Sequence, residues 1–192
     1  MSSLLYVFLL FAAFISHSGA ARPATDPPVK DMYNNPLIVG IRYFVLPLTP
    51  GGGGLTYIET QNTTCPGTVV QDQNEASRGI PVKFWPSVQS TTVNVSTDLN
   101  VQFPDYTIWR LDSFGTDQYL VSICGVRGNP GRETVSNWFK IEKFQFNYKI
   151  RFCPTVCDEC RVMWRDIGVF VKDGKRILAL SDVPLMVLFQ KA

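Results

Sequence analysis

The chain has 192 residues, 45% of them hydrophobic and 18% charged, a balance that suits one globular domain and excludes a disordered segment or a coiled coil. Lys and Arg number 18 against 16 Asp and Glu, so the net charge of +2 offers no electrostatic footprint for a nucleic acid. The single histidine, His17, falls in a segment expected to be removed, which leaves the mature protein without an imidazole for acid–base or nucleophilic chemistry.

Residues 4–15 (LLYVFLLFAAFI) form an uninterrupted apolar run, followed by the small residues Ser18, Gly19, Ala20 and Ala21. That run has the length of a signal-peptide core and is too short for a membrane span of about 20 residues. Cleavage after Ala20 or Ala21 is expected, so residues 1–21 are a secretory signal peptide and residues 22–192 a single domain with no membrane segment in the mature form. Two N-x-S/T sequons, at Asn62 and Asn94, agree with secretion, whereas Asn129 is excluded by the proline that follows it.

After a Pro-rich lead, short runs of β-branched and aromatic residues recur between Gly, Pro, Asn and Asp clusters, the pattern of an all-β chain. Strands are predicted near 38–46, 55–59, 68–71, 82–84, 92–95, 99–103 and 107–111, then 118–124, 138–142, 148–152, 167–171, 176–180 and 185–189. The segments 118–123 and 148–152 alternate with period two, and helical stripes of useful length are absent. The run Gly51, Gly52, Gly53, Gly54 lacks the Lys-Ser/Thr of a phosphate-cradling loop and reads as a hairpin tip. About a dozen strands in one undivided domain suit a barrel or a sandwich. An uneven threefold echo (Tyr43-Phe44-Val45, Trp109-Arg110-Leu111 and the run from Tyr148 to Phe152) places a β-trefoil somewhat ahead.

The five cysteines are Cys65, Cys124, Cys153, Cys157 and Cys160, and in an oxidising compartment they read as disulfides with one thiol left over. A zinc site in the C-x3-C-x2-C run would lack a fourth ligand, so no metal and no cofactor are expected. A redox role for Cys157-Asp158-Glu159-Cys160 needs a thioredoxin-like α/β setting, and the surroundings read as strands. No local constellation singles out two carboxylates among the sixteen acids. An enzyme is therefore not expected.

Ordered blocks along residues 29 to 190 resemble the plant Kunitz family typified by soybean trypsin inhibitor, and most closely its miraculin-like branch. They open with Asp31-x-x-Asn34-x-x-Leu37-x-x-Gly40-x-x-Tyr43 and Phe44-Val45-Leu46-Pro47, and continue through Cys65-Pro66, Ser96-Thr97-Asp98-Leu99-Asn100 and Trp109. Gly128-Asn129-Pro130-Gly131, Trp138-Phe139-Lys140-Ile141-Glu142, Phe152-Cys153-Pro154-Thr155-Val156-Cys157 and Leu178-Ala179-Leu180-Ser181-Asp182-Val183-Pro184 complete the match.

The resemblance implies a β-trefoil of about twelve short strands with pseudo-threefold repeat. It also implies a secreted inhibitor whose exposed, substrate-like loop engages serine or papain-like cysteine proteases, in plant defence or control of extracellular proteolysis. The partners would be extracellular or digestive proteases and the location the apoplast or cell wall. The loop is placed at Ser77, Arg78, Gly79, Ile80, Pro81, Val82 and Lys83, with Ile80 or Pro81 at the primary contact, or Arg78 or Lys83 if the register differs. Val39 stands where soybean-type members carry an asparagine that braces the loop. The family's second cysteine, just before the Trp109 strand, is missing, and Cys124 substitutes. A hairpin centred near 114–116 would set it across from Tyr106, which implies Cys65–Cys124. Trp164 occupies the position of the branch's last cysteine, so Cys157–Cys160 pair and Cys153 is unpaired, with Cys153–Cys160 as the alternative. No cysteine lies between Phe144 and Tyr148 where miraculin's subunits are linked, so a monomer is expected. The competing reading is a non-inhibitory β-trefoil binding or storage protein.

Overall fold

Some strands, such as 147–152, alternate buried and less buried residues, while others, such as 99–102 and 118–125, bury four residues in succession, so the chain closes on itself with some strands covered on one face and others on both. The computed structural model describes residues 26–60, 65, 67–105, 107–115 and 118–192. Among them are twelve strands: β1 Tyr43–Pro47, β2 Leu55–Glu59, β3 Gly67–Gln71, β4 Lys83–Pro86, β5 Leu99–Gln102 and β6 Ile108–Phe114, followed by β7 Gln118–Gly125, β8 Lys140–Phe144, β9 Asn147–Phe152, β10 Arg165–Lys172, β11 Lys175–Ser181 and β12 Met186–Lys191. A short 3-10 helix, Arg132–Asn137, lies between β7 and β8.

Six strands make a closed barrel. β1 pairs with β12, β12 with β9, and β9 with β8. The bridge Leu99↔Phe139 carries the ring to β5, β5 pairs with β4, and the bridge Tyr43↔Val82 returns it to β1. The other six strands form the hairpins β2–β3, β6–β7 and β10–β11. These meet in a triangle through Thr68↔Ser122, Leu120↔Ala179 and Val70↔Ile177. A six-stranded barrel capped by three hairpins is a β-trefoil, and closure leaves few free strand edges.

The core follows from the alternation. On β9, Tyr148, Ile150 and Phe152 are buried while Asn147, Lys149 and Arg151 are not. Aromatic rings then link the barrel wall to the hairpins: Phe84 packs edge-on against Phe189, Phe152 against Phe139, Phe139 against Trp109, and Trp109 against Phe103. The phenol oxygens of Tyr43 and Tyr148 accept the amides of Ile38 and Lys30, so their burial leaves no orphaned hydroxyl.

Trp109 is fully buried and its indole N–H has no partner among the described residues. Trp109→Phe therefore gives up packing but no hydrogen bond, and is expected to cost less than about 1.5 kcal/mol in urea unfolding. A loss above about 3 kcal/mol would show that the N–H holds a partner after all.

Three sequence expectations change. The predicted strand 92–95 is reduced to isolated bridges, Ile38↔Thr92 and Pro28↔Asn94, because its neighbours are short loops that offer single pairings. The first strand begins at Tyr43 and not near residue 38, since Gly40 at φ 76° breaks the extended run. In the β6–β7 hairpin a bulge between Ile108 and Arg110 sets Ile108 opposite Gly125, so Cys124 faces the 109–110 region and not position 106, which lies outside the described residues. No described helix is long and apolar enough to cross a membrane.

Candidate functional site

The segment predicted to contact a protease, residues 77–83, is divided by the structure into an exposed shoulder and a buried return. Its approach is a tight turn in which Asp72 accepts the amide of Asn74, Asn74 accepts that of Ala76, and Glu75 reaches the Gly51 amide. Hydrogen bonds from Ser77 and the Asn74 amide hold the Asp72 carboxyl below its usual range. The turn is therefore firmest above the ordinary carboxylate pKa and loosens as pH falls through the depressed value. Arg78 is exposed and lays its guanidinium 4.5 Å from the centre of the Phe44 ring.

Beyond Arg78 the backbone is committed to the barrel. Gly79, at φ 71°, sits so close to Gly54 and Leu55 that a Cβ would fall 2.7 Å from the Gly54 carbonyl carbon. The Ile80 amide donates to Leu55 O at 2.8 Å, and Val82, fully buried, exchanges two 2.8 Å hydrogen bonds with Tyr43. A substrate-like loop must offer such groups to its protease as an added strand. Ile80 and Val82 have already spent theirs. Pro81 and Lys83 face a neighbouring cleft that also holds Trp85 and Arg127.

A second segment has what a substrate-like loop requires. Residues 87–91 follow β4, with Val88 62% exposed and Gln89 and Thr91 exposed beside it. The backbone of Val88 and Gln89 makes no hydrogen bond with any described residue, yet both ends are tied. The Ser87 amide donates to Asp98 O at 2.8 Å, the Val39 amide to Thr91 O at 3.0 Å, and the Ser90 hydroxyl bridges the Thr92 backbone. Val39, which lacks the bracing side chain, still anchors the loop through its main chain. Only the polar run Ser87, Gln89, Ser90, Thr91, Thr92 after Pro86 could have flagged this loop in the sequence.

The cysteines complete the scaffold. Cys65 and Cys124 are bridged with Cα atoms 5.3 Å apart, brought together by the β3–β7 pairing, and Cys157 and Cys160 are bridged across a tight turn at 5.4 Å. Cys153 is free and half-buried. Burial pushes its thiol pKa up, partly opposed by Lys140 and Arg151. Asp112 approaches Cys65 and Cys124, but the bridge consumes both thiolates that a metal would need. Asn94 is half-buried with its Oδ1 accepting from Thr92, and Asn62 lies outside the described residues.

The two bridges differ in the length of chain they close. Cys65 and Cys124 are 59 residues apart, so replacing both by serine is expected to cost about 2–4 kcal/mol in denaturant unfolding. Replacing Cys157 and Cys160, three residues apart, is expected to cost less than about 2 kcal/mol. Equal losses would contradict the loop-closure account.

Comparison with known proteins agrees with this scaffold. A family model described as trypsin and protease inhibitor of the Kunitz legume type matches residues 29–191. Kunitz trypsin inhibitor 5 of Arabidopsis thaliana is 56% identical over the full length of both chains. Miraculin of Synsepalum dulcificum is 42% identical over 98% of this chain and 94% of its own. Among solved structures, the Kunitz-type cysteine protease inhibitor PCPI-3 from potato superposes with a TM-score of 0.76 at 31% identity, covering 86% of this chain and 97% of that one. The match of the family model over residues 29–191 and the 56% identity to a Kunitz trypsin inhibitor over the full length of both chains, on a β-trefoil shared with solved members, place the chain in the Kunitz legume family of trypsin and protease inhibitors.

Proposed function

We propose that the protein is a secreted inhibitor of serine or papain-like cysteine proteases, and that it acts through the loop 87–91 by binding like a substrate. The observation that carries this reading is the free backbone of Val88 and Gln89 between two anchored ends. Such a loop has little conformational entropy left to lose on binding, and the ends stay joined to the barrel if the peptide bond is cut. Residues 77–83, first expected to make this contact, support the loop's own sheet through Val82 and β4.

Removal of residues 1–21 would release the domain to the apoplast or cell wall as a monomer, with Asn62 and Asn94 as glycan acceptors and a role in defence or control of extracellular proteolysis. The test is a tight-binding titration of the secreted, oxidised protein against trypsin, chymotrypsin, subtilisin and papain, with amino-terminal sequencing of the secreted form. Sub-micromolar inhibition of one protease is the expected result. Silence across the panel would favour the second reading, a non-inhibitory binding or storage protein, which the resemblance to miraculin keeps in view.

A further inference from the structure

Behind β4, on the outward face of the barrel, lies a cleft of about 440 Å³ that the inhibitory loop does not use. Arg42, Lys83 and Arg127 line it, together with Trp85, Gln102 and Asp105. None of the three cations has a carboxylate partner among the described residues, so three positive charges face a single Asp105 across one concavity. Unpaired cations on a convex surface are ordinary. Three of them converging on a cleft, where low-dielectric walls focus their field, are not.

The cleft is also held in shape. Trp85 Nε1 donates to Gln102 Oε1 at 2.5 Å, and Gly40, at φ 76°, lets the backbone approach the indole where a Cβ would lie 3.2 Å from Cη2. The Arg127 guanidinium stacks 4.5 Å from the indole centre, with the Lys83 ammonium 6.0 Å from the same ring. The backbone on either side of Arg127 is fixed by two buried asparagines: Asn137 Nδ2 donates to Val126 O at 3.1 Å, and the Gly128 amide donates to Asn100 Oδ1 at 2.8 Å. These bonds spend buried polar side chains on positioning one exposed arginine.

We propose that this cleft binds an acidic oligosaccharide, a short run of sugars carrying carboxylates. A guanidinium held over an indole at 4.5 Å has less freedom than a mobile ammonium, and its planar fork suits a planar carboxylate. Arg42 and Lys83 meet further anionic groups. Asp105 repels a densely charged phosphate but accepts hydroxyl donors, so a ligand with both carboxylates and hydroxyls satisfies every charged group in the cleft. The site is independent of the inhibitory loop: the Lys83 and Trp85 side chains point away from the core that Phe84 enters on the same strand.

The experiment is calorimetric titration of the full secreted protein with trigalacturonate at low and moderate salt, with maltotriose and pyrophosphate as the neutral and phosphate arms. Saturable binding of trigalacturonate is expected, with a Kd on the order of 0.1 mM at low salt that weakens as salt rises. Arg127→Gln, in the exposed bend after β7, and Lys83→Gln, on the outward side of β4, are each expected to weaken binding about 10-fold. Wild-type folding of the variants is checked by thermal unfolding. Absence of trigalacturonate binding, binding unchanged in both variants, or equal binding of pyrophosphate would each overturn the proposal.

Discussion

Gln89→Arg is expected to convert the protein into a trypsin inhibitor about three orders of magnitude stronger than the parent, while Pro81→Arg leaves trypsin inhibition where it was. A gain of that size corresponds to about 4 kcal/mol, the scale of a single dominant interface residue. Trypsin's specificity pocket holds a carboxylate and rewards a cation at the primary contact. Gln89 is the middle residue of the segment 87–91, is exposed, and has an unbonded backbone on which an added strand can form. Pro81 stands between Ile80 and Val82, whose amides are bound to Leu55 and Tyr43, so an arginine there would point into the cation-lined cleft beside Lys83. Val88→Arg serves as the neighbouring register, and the larger of the two gains marks the contact. Trypsin potency acquired by Pro81→Arg and by neither loop variant would mean that the protease opens the 77–83 segment, and the assignment of the loop would fall.

The difference between the two segments shows where the sequence is legible and where it is not. Period-two alternation in β9 shows in the residue types alone, because burial on one face is a local pattern, whereas β7, which reads as alternating, buries four successive residues from Leu120 to Ile123 where it meets β3 and β11. The threefold arrangement is legible only faintly, since it depends on short pairings such as Gln71↔Arg176 and Val70↔Ile177 that join strands more than a hundred residues apart. The family resemblance supplied the β-trefoil and pointed to Cys65–Cys124, although the bridge is set by the β3–β7 contact and not by proximity to position 106. The proposed loop, 87–91, differs from the 77–83 segment to which the family resemblance pointed, because the resemblance carries no information about which backbone groups are already bonded. Whether a backbone amide is free is decided across the barrel: Val82 is closed off by Tyr43, thirty-nine positions away, and no local signal reports it. The 3-10 helix at Arg132–Asn137 escaped for the same reason, since Asn100 on β5 holds it through Asn137 O.

Asp98→Ala is expected to lower the unfolding free energy by about 3–5 kcal/mol, the cost of stranding a buried charge. Asp98 and Lys140 are both buried, with the ammonium 3.8 Å from the carboxylate. Thr155 joins them: its amide donates to both carboxylate oxygens, its hydroxyl donates to Oδ2 at 2.6 Å, and Lys140 Nζ donates to the same hydroxyl at 3.1 Å. Removing the carboxylate leaves the hydroxyl and one amide of the exposed Thr155 without their acceptor and the buried ammonium without its counter-charge. The backbone of the same residue carries the loop, because Asp98 O accepts the Ser87 amide. A loosened Asp98 therefore also frees the amino-terminal end of residues 87–91, and protease affinity is expected to fall together with stability. Asp98→Ala/Lys140→Met separates the two contributions: with no charge left to strand, most of the stability returns. A single variant within about 1 kcal/mol of the parent would show that Lys140 reaches solvent when its partner is gone and that the buried pair does little to hold the loop.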